Sequence, residues 1–567
     1  MARANAADRQ RTEEAPPQPE PFMRLAVVSQ RWCDEDRTVE AVLRYLGAAA
    51  DRGADLVLLP QQCVKTEGQP IPGPVTKALA DAARTHKMYV VGNIREKADG
   101  GPYVTSFLLA PDGTLVGTYR KSHKMPDEAM ALGDALPVFD TAYGKVAMRV
   151  GSDRFFADID HVYTAKGARI ILWSQVPEPV EDEYSQDFPS LGRAVDYRVV
   201  IACARYASGR PGYITNKYPP YCGRPIGRAY VVSREGQRIA CTPRTGGGVA
   251  VATIGLRELK AGRGPNRNPA FAALAGPVSI PPEKKWARRK VRLAVIEAHV
   301  SEDDLLAKLD RCGEMDADIV CTYEFVWIHK KDEKQQARAR DILRQVAARA
   351  DEHDMYVLVA GVIERRERNV GILFGRDGKE VGRYRKIATT YEEQVPGDAT
   401  PVFETDFGRV ACRICADEWM VELDRTYGVK GADILFTPTQ SWGPDALFRD
   451  LRDISRAMDT GMFLVEATHP ATEVRHRSLI IEPTGVVVRR SRYRVPDVFC
   501  QEVDLDHDRP LRYVRRYKPH EPKGYLPEYQ PTRMPEAAND LRETILRQRR
   551  PELYQVLAPA PPAEGSP

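Results

Sequence analysis

The sequence predicts an α/β layered fold written twice in one chain of 567 residues. Three observations carry that prediction. A buried strand running into a turn appears at residues 145–155 as "KVAMRVGSDRF" and again at 409–419 as "RVACRICADEW". The segments around both copies recur in the same order. Each half mixes short apolar strands, amphipathic helices and Asp-Gly hairpins, the pattern of a layered domain with helices packed on sheets.

The elements pair in order. "MRLAVVSQ" (23–30) matches "VRLAVIEA" (291–298), each an apolar strand followed by a helical stretch. "ADLVLLPQQ" (54–62) matches "ADIVCTYEF" (317–325), each a short buried strand. An Ala- and Arg-rich helix then leads to "KMYVVGNI" in one half and "DMYVLVAGVI" in the other. "PDGTLVGTYRK" and "RDGKEVGRYRK" read as hairpins, because Asp-Gly supplies the positive-φ turn. "GDALPVFDTAYGKV" matches "GDATPVFETDFGRV", "KGARIIL" matches "KGADILF", and each half closes on another hairpin, "VVSREGQRIA" and "IIEPTGVVVR". The repeat is too long for a solenoid and is a domain duplication. Domain one is placed at 23–257 and domain two at 290–508. Residues 1–22 read as a polar, disordered leader and the Pro/Gly-rich stretch 258–289 as a linker. Residues 509–567 form a basic C-terminal extension with a short helix near its end, expected to be solvated or to pack on a domain or partner.

Composition narrows the function classes. A net charge of +4 is small for this length and does not suggest a nucleic-acid binder. No apolar run approaches the ~20 residues of a membrane span, and the leader lacks the apolar core of an export signal. The ten cysteines are scattered, so reduced thiols and a cytoplasmic location are expected. Cys412 and Cys415 have CxxC spacing, but no second ligand pair accompanies them, and neither metal nor cofactor is expected.

Domain two places three chemically distinct residues at strand ends: Glu324, Lys386 and Cys415. Strand ends in layered α/β domains converge on clefts. A thiol before a helix and near an ammonium is expected to ionise readily. Glu324 can take the thiol proton, while Lys386 and the backbone N–H of Ala416 can hold an oxyanion.

The order Glu, Tyr-Arg-Lys, Ile-Cys-x-Asp and then "KGADILFTPTQSW" resembles the nitrilase superfamily of carbon–nitrogen hydrolases. The resemblance covers both repeats and implies two tandem α-β-β-α sandwich domains. It implies Glu324 as general base, Lys386 as oxyanion stabiliser and Cys415 as nucleophile. It also implies a second glutamate before Pro-Gly-Asp, for which "TYEEQVPGD" offers Glu392 or Glu393; Glu392 is preferred, because Glu128 stands at the same place before Gly133. Trp419 and Trp442 are the implied pocket residues. Trp419 stands where related branches often carry an Arg that in some members can bind a substrate carboxylate, so a less charged small-molecule substrate is expected. The implied chemistry is thioester hydrolysis of an amide or carbamoyl group, in preference to a nitrile. Acyl transfer from the same thioester and a non-catalytic scaffold are the alternatives.

In domain one, Gln61 replaces Glu324 and Gly151 replaces Cys415, while Lys121 and Glu128 remain. Gln61 is not a base at neutral pH, and Ser152 is one position out of register. Domain one therefore reads as a degenerate copy, with Lys121 and Glu128 expected to form a residual ion pair or polar strand-end packing. Its expected role is an internal pseudo-dimer partner, with further homo-oligomerisation left open.

Overall fold

The computed structural model describes residues 21–31, 33–124, 128, 130–175, 183–207, 228–243, 246–259, 266, 268–277, 286–298, 301–324, 333–364, 368–389, 395–440, 446–469, 477–492, 497–506 and 541–559. Domain two holds two six-stranded sheets. The first runs Glu380–Arg385, Arg368–Phe374, Tyr356–Glu364, Ile319–Glu324, Lys290–Ile296, Val498–Asp504. The second runs from Phe403–Glu404 through Arg409–Cys412, Ile434–Thr439 and Phe463–Thr468 to the closing hairpin. Domain one repeats both orders, but its two sheets join where Ser29–Arg31 pairs with Arg205–Ala207.

Strand alternation builds the layers. Leu293 and Val295 face the interior between the two sheets, while Ala294 and Ile296 face the outer helices. Leu25 and Val27 against Ala26 and Val28 do the same in domain one. A period of two sends neighbours to opposite faces, so a continuous apolar run fills both layers at once. The outer helices start on matched caps: Thr38 Oγ1 accepts from Ala41 N–H at 3.1 Å and Ser301 Oγ from Asp304 N–H at 3.1 Å. The result is the α-β-β-α sandwich, twice.

Among the described residues, four helices face one another between the domains: α1 (Ala157–Ala165) and α2 (Glu183–Tyr197) of domain one, α3 (Val421–Val429) and α4 (Ala446–Thr460) of domain two. Helices α2 and α4 cross closely at Gly192, where an added Cβ would lie 2.1 Å from the Ser455 Cβ. Ion pairs repeat across this contact with pseudo-twofold symmetry. Arg193 pairs with Asp459 at 2.6 Å, and Arg456 pairs with Asp196 at 2.6 Å. Arg425 pairs with Asp158, and His161 faces Glu422 at 3.4 Å.

The expected linker and tail are partly structural. The short turn Pro269–Leu274, which follows domain one, buries Phe271 and Leu274 in the core of domain two. After helix α5 (Leu541–Gln548), Tyr554 and Leu557 enter the core of domain one. The two arms meet where Arg549 Nη2 donates to the Leu274 carbonyl at 2.7 Å and Gln555 Nε2 to the Ala275 carbonyl at 3.0 Å. Each arm therefore packs on the other domain. Composition hid this, because the buried residues are sparse within polar, Pro-rich surroundings.

Phe271→Ala should consequently destabilise domain two, although the residue follows domain one in sequence. A cost of about 3–5 kcal/mol is expected for emptying a fully buried aromatic site. Denaturant unfolding followed by hydrogen exchange should locate the loss in residues 290–506; a loss confined to domain one would contradict the crossed arrangement.

Candidate active site

Cys415 follows strand Arg409–Cys412 and opens a short 3₁₀ turn, Cys415–Trp419. Its φ is +45°, in the left-handed region that non-glycine residues rarely occupy. Gly151 has φ +50° at the matching turn of domain one. The backbone bend is thus common to both copies, and only domain two places a side chain on it.

A buried carboxylate holds each bend. Asp417 accepts from the Ile414 N–H at 2.8 Å, the Ala388 N–H at 2.7 Å and the Tyr384 hydroxyl at 2.7 Å. It thereby ties the cysteine turn to the segment just after Lys386. Asp153 makes the matching bonds in domain one, from Val150 N–H at 2.8 Å, His123 N–H at 3.2 Å and the Tyr119 hydroxyl at 2.7 Å. Burial pushes both carboxyls up to about 6.

Glu324 ends its strand buried, and its Oε1 accepts from Lys386 Nζ at 3.1 Å and Asn369 Nδ2 at 2.9 Å. Asn369 sits directly across the hairpin, where the Lys386 N–H donates to its carbonyl at 2.9 Å. Burial works against the Lys386 ammonium, but Glu324, then Cys415 and Asp417, hold its pKa above the ordinary value. Burial pushes the Cys415 thiol up to about 11, and the Glu324 charge adds to this; Lys386 and a hydrogen bond with Thr439 oppose it. This differs from the expected ready thiolate. The segment after Cys415 is a short 3₁₀ turn rather than an α-helix, so it offers little dipole, and desolvation dominates. The resting group is therefore a thiol.

Domain one differs beside its bend. A Cβ on Gly151 would stand 2.6 Å from Gln61 Oε1 and 3.6 Å from Lys121 Nζ. Gln61 therefore fills the space beside the bend. Val104 takes the place of Asn369, since the Lys121 N–H donates to its carbonyl at 2.9 Å. Lys121 and Glu128 do form an ion pair at 2.5 Å, and Ser152 Oγ donates to Glu128 at 2.7 Å.

Trp419 is 49% exposed, with the Arg452 guanidinium 4.4 Å from its ring centroid. Ala416 is partly buried beside the thiol. Glu392, Glu393 and Trp442 lie outside the described residues. Asn369 and Thr439 were missed at the sequence level. The hairpin register, which pairs Val370 with Arg385, was the signal that could have found Asn369. A small cavity of about 40 Å³ lies elsewhere, at the junction of the domains and α5, lined in part by Asp158, Arg425, Arg542 and Arg549. Its size suits a water or two rather than a substrate. Among the described residues, Asp310, Glu352 and His353 form a possible cation-ligating group, and Arg349 already pairs with Asp310 at 2.7 Å.

Comparison with known proteins gives consistent results. The carbon-nitrogen hydrolase family matches residues 23–263 and 278–513. The omega-amidase NIT2 of Danio rerio is 30% identical over 177 residues, covering 28% of this chain and 64% of that protein. The Homo sapiens omega-amidase NIT2 is 27% identical over 180 residues, covering 28% and 65%. The chain thus spans just under two thirds of the length of these curated relatives. Among solved structures, an amidase from Nesterenkonia sp. aligns at 19% identity and a TM-score of 0.34, covering 42% of this chain and 92% of that one. A carbon-nitrogen hydrolase from Helicobacter pylori G27 aligns at 17% identity and 0.35, covering 42% and 91%.

Alkylation of Cys415, resolved from the other thiols by mass spectrometry, should accelerate with pH toward a midpoint near 11. Lys386→Met removes the cation that favours thiolate and should move that midpoint up. Glu324→Gln removes the opposing charge and should move it down. A midpoint near neutrality would show that burial does not control this thiol.

Proposed function

The chain belongs to the carbon–nitrogen hydrolase family, and from that premise we propose that domain two hydrolyses the C–N bond of a small amide or carbamoyl compound through a Cys415 thioester. The observation that carries this reading is the joining of Glu324, Lys386 and Cys415 in one buried, electrostatically coupled group. Similarity to omega-amidases supports an amide in preference to a nitrile.

The geometry suggests the steps. Glu324, oriented by Asn369 and Lys386, takes the Cys415 proton as sulfur attacks the carbonyl carbon. With the thiol held near 11, base and nucleophile act as a unit. Lys386 and the Ala416 N–H stabilise the oxyanion. The proton returns to the departing ammonia or amine. Glu324 then activates water, which releases the acid and restores the thiol. Glu392 is proposed to assist. The Gly133 N–H donates to the Lys121 carbonyl and the Gly397 N–H to the Lys386 carbonyl; counted back from these glycines Glu392 stands where Glu128 does, while the lysine-to-glycine span is one residue shorter in domain two. Arg452 is committed to the Glu418 carbonyl and Asp196, which supports an uncharged substrate group near Trp419. Domain one is proposed to be inactive. It has no thiol at 151, and Gln61 supplies no base. Domain one acts instead as a built-in pairing partner.

Ammonia release across a panel of amides, ureides and nitriles, with mass spectrometry for an acyl group on Cys415, tests the reading. Cys415→Ala should lower turnover by ~10³-fold or more. Lys386→Ala should slow it by roughly 10²–10³-fold. Glu324→Gln should prevent rapid build-up of the thioester. Turnover that survives Cys415→Ala, or an acyl adduct on another residue, would overturn the assignment.

A further inference from the structure

Domain one carries no nucleophile, yet one of its carboxylates reaches the turn that carries Cys415. The Glu418 carbonyl, within that turn, accepts from Arg456 Nη1 at 2.7 Å and from Arg452 Nη2 at 3.1 Å. Both arginines come from α4, and both pair with Asp196 of domain one. Asp196 binds Arg456 through two bonds, Nε at 3.0 Å and Nη2 at 2.6 Å, and lies 3.5 Å from Arg452 Nε. All of these groups are buried.

Asp424 of domain two also touches Arg456 Nη1, at 3.0 Å, but it shares the same oxygen with Arg413. One shared oxygen does not fix the plane of a guanidinium, whereas a two-bond carboxylate does. The direction of the Arg456 donor toward Glu418 is therefore set across the domain boundary. The turn is held at its start by Asp417 and at its end by this clamp, with the strained Cys415 between them.

We propose that Asp196 of the inactive domain is a positioning residue for Cys415, acting through Arg456 and Arg452 on the Glu418 carbonyl. The proposal rests on Cys415 being the nucleophile of domain two. It gives the degenerate copy a specific contribution beyond packing.

The pseudo-twofold axis supplies a control. Arg193 makes the corresponding bonds in reverse, to Asp459 at 2.9 and 2.6 Å, to Asp160 at 3.0 Å, and through Nη2 to the Arg154 carbonyl at 2.7 Å, while Pro189 stands at the place of Arg452, so that second arginine has no mirror. Arg154 stands in the turn that follows Gly151, where there is no side chain to position. Asp196→Asn and Asp459→Asn thus each weaken a two-bond interdomain pair to a buried arginine, and only the first lies on the route to a thiol.

In the full chain, both variants should lose thermal stability, Asp196→Asn the more, since Asp196 is the more buried and also faces Arg452. Asp196→Asn should lower kcat by about 10- to 100-fold with KM within about twofold, because misplacing a reacting group costs rate rather than binding. Asp459→Asn should leave kcat within about twofold. The pH midpoint of Cys415 alkylation should move in Asp196→Asn alone, since the distances to Lys386 and Glu324 set it. That readout needs no substrate, so a chain that released no ammonia from any panel compound would sink the proposed function while alkylation still tested the clamp. Should Asp196→Asn fail to fold, Arg456→Lys against its mirror Arg193→Lys makes the same comparison, as lysine keeps the charge and loses the fork. Equal effects within a mirror pair, or no effect of Asp196→Asn on kcat and on the alkylation midpoint, would overturn the proposal.

Discussion

The buried Asp417 carboxylate is the constraint on which the rest of domain two's site depends. It gathers N–H groups from the cysteine turn and from the segment after Lys386, which belong to different sheets. A buried carboxylate is costly unless its acceptors are filled. Filling them forces the two sheets into one register and brings the thiol, the ammonium and Glu324 together. Domain one keeps the same carboxylate as Asp153 with the same kinds of donor. Its retention beside Gly151 and Gln61, where neither the thiol nor the Glu324 carboxylate has a counterpart, marks it as a requirement of the fold.

The comparison between copies separates architecture from chemistry residue by residue. The left-handed bend, the carboxylate beneath it and the lysine survive in both. The proposed base, the asparagine bonded to it and the thiol differ: Gln61 for Glu324, Val104 for Asn369, Gly151 for Cys415. In the proposed reaction these three are the groups that move a proton and form a bond to carbon. Glycine relieves the strain that cysteine bears at positive φ, so domain one is also the less strained copy at this point.

The interdomain contact ties the two copies together. Its core is a ladder of buried arginine–carboxylate pairs, Arg149–Asp160–Arg193–Asp459 and Arg413–Asp424–Arg456–Asp196. Removing one partner of such a pair leaves an uncompensated buried charge, which costs far more than the intact pair contributes. The crossed arms, with Phe271 in domain two and Tyr554 in domain one, bind the halves further. A single domain would expose both the ladder and the sockets for these arms.

The sequence by itself determined the duplication, the strand and hairpin order, and the identity of Glu324, Lys386, Cys415 and their replacements. Those features are periodic or local, and an Asp-Gly turn or a strand-end residue is readable without a partner. Tertiary structure decided what depends on distant neighbours. The thiol's pKa was misjudged from sequence, because local features suggested a helix dipole and a nearby cation, whereas burial beside Glu324 pushes it to about 11. Asn369 and Thr439 gained their places only when strands were registered beside the site. The arms looked like linker and tail, since two buried residues in a Pro-rich stretch carry no period. Asp196 was illegible for the same reason: a lone acidic residue on a helix resembles any solvated charge until the other domain's arginines close over it.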